Sequence, residues 1–182
     1  MTSHLRTAPI ALILTATLGA SMVAATSHSA SRNGTRHLSQ DQPKKGDALA
    51  TLHVAGPFDV KIVPQGTPDK AEGSTLSRMS IEKQYHGALE ATAKGEMLSA
   101  GTEVHGSAGY VAIERVTGTL NGKTGSFVLQ HNATLTRGAP ALNIIVVPDS
   151  GSGQLVGITG KLNVIIEGGK HSYDFEYTLP PA

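Results

Sequence analysis

Three residues of this chain have the types and spacing to do chemistry together: Tyr110, Glu114 and His131. A carboxylate beside an imidazole can share a proton, and a phenol close by can donate a hydrogen bond to the same partner. Tyr110 and Glu114 have the same parity in the alternating run Gly109 to Leu120, and His131 lies in the next run, Ser126 to Arg137. Asn121-Gly122 between the runs is a strong hairpin turn. A two-residue loop there pairs Ala112 with His131 and a four-residue loop pairs Glu114 with His131. Either places the three on one face, whereas a one-residue slip separates them. That face also carries Val116, Phe127, Leu129 and Ala133, which marks it as the inner one. Phe127 and Leu129 then count as apolar walls of a ligand site, and burial among them is expected to raise the Glu114 pKa. The plainer alternative is a buried polar pair that satisfies itself.

A second set surrounds His86-Gly87. Read as the turn, these residues pair Lys83 with Glu90 on the face of Met79, Ile81 and Tyr85. An exterior cross-strand salt bridge is the expected arrangement, because charges cost little in water. Glu90 stays a second-rank candidate for the ligand site. The remaining histidines are scattered, without the close spacing of a zinc helix, and no Gly-x-Ser-x-Gly elbow occurs. Gly151-Ser152-Gly153 lacks the following helix and lysine of a phosphate loop and reads as a tight turn or bulge. No metal and no cofactor are expected.

The elements that must position these residues are strands. Beyond Asp47 no 3.6-residue periodicity appears, while period-two alternation recurs between Gly and Pro punctuation. The last run, Lys170 to Thr178, puts His171, Tyr173, Phe175 and Tyr177 on one face, and Gly168-Gly169 turns it back onto Leu162, Val164 and Ile166. Further strands are expected at Ala50 to Val63, Leu76 to His86, Ala88 to Ala100 and Leu142 to Val147. Eight strands in so small a domain point to an all-β, closed antiparallel eight-stranded barrel, since closure removes exposed edges. A two-sheet sandwich is the alternative.

The chain has 182 residues, no cysteine, no tryptophan and a net charge of +1. Disulfide scaffolds, iron–sulfur sites and thiol nucleophiles are thereby excluded. The near-neutral charge, and the acidic neighbours Asp174 and Glu176 of the last strand's aromatic rings, argue against nucleic-acid binding. Residues 1–25 carry one early Arg, an apolar run too short and too polar for a bilayer span, and small residues at its end. They read as a cleaved signal peptide, leaving no stable membrane insertion and a secreted, periplasmic or cell-envelope protein. Residues 26–46 hold four Lys and Arg, one Asp and a single large apolar residue, and read as a disordered linker. The β domain is expected over 47–182.

Three long blocks carry a resemblance: RMSIEKQYHGALEATAKGEMLSA from Arg78, GSAGYVAIERVTGTLNGKTGSFVLQH from Gly106, and VVPDSGSGQLVGITG from Val146. Together they resemble the bacterial family called domain of unknown function 3224, over about Thr51 to Leu179. The resemblance implies a barrel like those of allene oxide cyclases and dirigent proteins, with Gly151, Gly153, Gly157 and Gly160 leading into a strand as in those relatives. It implies no activity and carries over no catalytic residue.

Three function classes follow. The first is binding of a small apolar ligand in the barrel cavity, oriented by Tyr110, Glu114 and His131, for which Glu114→Gln should weaken retention without unfolding the protein. The second is an isomerase or cyclase using Glu114 or His131 as acid or base and Tyr110 as donor. The third is a structural or self-associating envelope protein, a homo-oligomer with a filled interior.

Overall fold

The structure, a computed structural model, describes residues 49–181; the segments expected to be a signal peptide and a linker lie outside the described residues. The described chain is all β: β1 Leu52–Ala71, β2 Ser74–Tyr85, β3 Leu89–Thr102, β4 Ala108–Leu120, β5 Lys123–Thr136, β6 Ala139–Val146, β7 Ser152–Gly153, β8 Thr159–Glu167 and β9 Lys170–Thr178. All nine belong to one antiparallel sheet, in place of the two sheets of a sandwich. The pairing of β4 with β5 closes β1, β2, β3, β4, β5, β6, β8 and β9 into a ring. Eight ring strands match the expectation from sequence. The ninth, β7, is the Gly-Ser-Gly segment, which pairs with Gly125 and Ser126 and folds Leu155 and Ile158 into the core behind it.

Turn chemistry fixes the register. Asn121 and Gly122 both have positive φ, at 47° and 77°, as a two-residue turn that follows strand twist requires. The result pairs Leu120 with Lys123 and Ala112 with His131. Gly168-Gly169 makes the same kind of turn between Glu167 and Lys170. The connection at His86-Gly87 departs from the expected two-residue turn by three residues, since Tyr85 pairs with Ala91 instead of Ala88 and Lys83 with Ala93 instead of Glu90. Because the shift is an odd number of residues, it separates the faces of Lys83 and Glu90.

The ring is packed at one end and splayed at the other. At the packed end Phe127 stacks on Phe175 at 5.6 Å between centroids, Phe175 on Tyr177 at 5.2 Å, and Tyr85 meets Tyr173 edge-on. Leu89, Leu120, Leu155 and Ile158 fill the space around these rings. Toward the other end the ring loses its pairing. β1 leaves β9 at Phe58 and continues with β2 alone as its partner. The ladder between β6 and β8 is reduced to the single pair Ile145 and Lys161.

Candidate functional site

The inner face of the sheet is built in rows, one residue from each strand. The row Met79, Met97, Ala112, His131 and Ile144 lies over the row Ile81, Gly95, Glu114, Leu129 and Val146. Glu114 is fully buried and His131 nearly so, and both face inward as expected. Glu114 can sit against the neighbouring strand because Gly95 lies directly across from it. A Cβ on Gly95 would come within 2.7 Å of the Glu114 Cα and Cβ.

Three donors meet one carboxylate oxygen. Lys83 Nζ donates to Glu114 Oε1 at 2.8 Å, the Tyr85 hydroxyl at 2.9 Å and His131 Nε2 at 3.2 Å. Because a carboxylate only accepts, the His131 tautomer must carry its proton on Nε2. The Lys83 ammonium is also held over the Phe58 and Tyr85 rings, 5.3 and 5.6 Å from their centroids. Glu114 Oε2 is enclosed with no donor among the described residues.

Lys83 overturns two expectations. It is not on the exterior with Glu90; its side chain is 7% exposed and ion-paired to Glu114. Glu90 faces outward, 56% exposed beside His86, so it is no part of an interior site. The Glu114 pKa does not rise either. Burial pushes it up, but the His131 hydrogen bond and the Lys83 and His131 charges outweigh burial and hold it at about 2. The same environment drives the Tyr85 phenol well upward, by burial first and then by the Glu114 charge. The sequence does carry a sign of Lys83: it alternates with Met79, Ile81 and Tyr85, and Glu114 is the buried carboxylate able to compensate it.

Above this network, at the splayed end, lies a broadly open cavity of about 960 Å³. The innermost row lining it is Ser77, Ser99, Tyr110, Ala133 and Leu142, with Gln65 and Thr67 from β1 on one side and Ala141 and Asn143 from β6 on the other. Tyr110 is therefore the expected site residue that reaches the cavity. Burial, and then the Glu114 charge beneath, raises its pKa. Glu114 and His131 lie under the cavity floor. Phe127 and Leu129 belong to the packed core and not to the cavity wall. Among the described residues no three His, Asp or Glu side chains gather as metal ligands. His53 pairs with Asp174, and His86 with Asp59.

No curated protein matches the chain. A solved structure of a protein with unknown function from the DUF3224 family of Shewanella oneidensis MR-1 is 47% identical. The match covers 72% of this chain and 100% of that one, with a TM-score of 0.69. The family described as "Protein of unknown function (DUF3224)" matches residues 54–177, so the ring with its inward Lys83, Glu114 and His131 lies within the matched span. The chain belongs to the DUF3224 family.

Proposed function

We propose that this protein is an exported binder of a small, largely apolar molecule, folded as a barrel of the allene oxide cyclase type and working in the periplasm, cell envelope or medium. One observation carries the reading: the ring holds an open cavity of about 960 Å³ at its splayed end, within the size of small-molecule sites. Ala133 and Leu142 supply apolar surface in its innermost row, and Tyr110 lies in that same row. Glu114, His131 and Lys83 support that row from beneath as a rigid polar layer.

The geometry favours binding over the isomerase or cyclase reading. A carboxylate held at about pKa 2, closed off from the cavity and saturated on one oxygen, is a poor acid or base at neutral pH. Mass spectrometry of small molecules released by denaturing protein purified from its native host tests the proposal. The expected result is a bound apolar species whose recovery falls in Ser99→Trp, where the indole intrudes on the binding space beside Tyr110. A Ser99→Trp protein retaining the same species would contradict it.

Self-association is a second reading, and the outer face favours it. Leu76, Leu98, Val111 and Ile113 are 51–58% exposed on adjoining strands, with Leu98 paired directly to Val111. Size-exclusion chromatography of the wild type and Leu98→Glu tests it, the expected outcome being an oligomer that the substitution dissociates.

A further inference from the structure

Met79 and Met97 carry all the sulfur of the described residues, and the strand register sets them face to face. They are a direct cross-strand pair on the inner face, half-buried, in the row Met79, Met97, Ala112 and His131 between the cavity lining and the Glu114 layer. His131 donates its Nε2–H to Glu114, which leaves Nδ1 as a bare lone pair. Nδ1 has no hydrogen-bond partner among the described residues and, unlike Glu114 Oε2, keeps accessible surface. Between Met97 and His131 stands only the methyl group of Ala112. That methyl is itself covered, at 3% exposure, so larger side chains close over it, and its row neighbours are Met97 and His131. Strand spacing puts those two about 10 Å apart at the backbone, a span that a flexible thioether and an imidazole can close around one small ion. The curvature of the ring turns Met79, one strand farther on, toward the same point.

Two thioethers and an imidazole are soft, neutral donors. Such a set suits copper(I) and offers little to zinc, magnesium or calcium. The outer shell of a metal site is already built around it. A histidine that ligates a metal passes its other ring N–H to a carboxylate, which fixes tautomer and ring orientation, and Glu114 does this for His131. Glu114 is fixed in turn by Lys83 and the Tyr85 hydroxyl, and the Lys83 charge is spent on it, so the ammonium does not repel a cation above. We propose that Met79 Sδ, Met97 Sδ and His131 Nδ1 form a site for a soft monovalent metal ion, copper(I), entered from the splayed end. Glu114 is a positioning residue of this site and does not touch the ion. The proposal is independent of the apolar-ligand reading.

Silver(I), which matches copper(I) in charge and softness and needs no reductant, is the probe. Silver nitrate titrated into the full chain in chloride-free buffer at neutral pH should bind as a single tight ion. It should also move the two methionine methyl NMR signals that Met79→Leu and Met97→Leu remove. Each of these volume-conserving variants should keep the urea midpoint of the wild type and bind silver about tenfold more weakly, and the double variant should lose the site. His131→Gln, which can still donate to Glu114 but lacks Nδ1, should weaken binding about tenfold as well, its urea midpoint separating lost ligation from lost folding. Copper(I) competed from bicinchoninate under anaerobic ascorbate should follow the same order, while zinc should not distinguish the wild type from the double variant. Silver held as tightly by the double variant would place the ion on histidines outside the ring and overturn the proposal. Methionine signals unmoved at saturating silver, or unchanged affinity in a folded His131→Gln, would overturn it equally.

Discussion

The two ends of the ring use the same alternating strands to opposite effect. At the packed end large side chains meet across the middle: Phe175 has no exposed surface, and its neighbours Phe127, Tyr177 and Leu162 are as deeply enclosed. At the splayed end the inward positions are Ser77, Ser99, Tyr110 and Ala133, three of them too small to reach one another, and the unpaired lengths of β1 and β6 no longer draw the strands together. Between the ends lies the Lys83, Glu114, Tyr85 and His131 layer. Stability and binding are therefore separated along the ring, one end supplying burial and the other space.

Substitutions can break or sharpen that division. Phe175→Ala, in the packed end, should cost about 4 kcal/mol in urea unfolding through lost burial and an unfilled cavity. Leu98→Ala, on the outer face of the splayed end and 58% exposed, should by contrast stay within about 0.5 kcal/mol. If the two cost the same, the ends are not distinct.

The middle layer should behave like a core. Lys83→Met leaves Glu114 buried without its counter-charge and should destabilise by about 3 kcal/mol, with most of the loss recovered in Lys83→Met/Glu114→Gln. Glu114→Gln alone leaves the Lys83 ammonium uncompensated and is expected to lower stability as well as ligand retention, where the sequence reading expects weaker retention in a protein that stays folded.

The pH dependence follows from the same pair. Glu114 titrates at about 2 when folded and near 4.5 when unfolded, so the folded state binds fewer protons in that window. Its stabilisation is complete above the unfolded value and lost as pH falls toward about 2, a decline of roughly 2–3 kcal/mol. Urea midpoints measured from neutral pH downward should show that slope in the wild type and lack it in the double variant. The smallest effect is expected in the cavity. Tyr110→Phe should weaken octanol binding about fivefold, the worth of one hydrogen bond, with the unfolding midpoint unchanged.

Much of this division is legible in the sequence. Asn121-Gly122 specifies a turn, either even loop length keeps the same parity, and alternating apolar positions on each side then force Glu114 and His131 inward together. The aromatic face of β9 is as plain, because Tyr173, Phe175 and Tyr177 have no partner in water. His86-Gly87 is weaker information. A glycine permits several loop lengths, and a register shift of three residues sends Lys83 to Glu114 and Glu90 to solvent. With Lys83 misplaced, the direction of the Glu114 pKa follows wrongly, since desolvation alone raises it. The cavity is hidden for another reason: it depends on where β1 leaves β9 and how briefly β6 pairs with β8, pairings between segments far apart in the chain.

A crystal structure of the protein soaked with 8-bromo-1-octanol, with the bromine located by its anomalous scattering, tests the central claim most directly. The account predicts a bromine peak within the splayed end, in the space bounded by Tyr110, Ser99 and Leu142. A peak confined to the outer face at Leu98 and Ile113, or an empty splayed end in a crystal saturated with the probe, would contradict it.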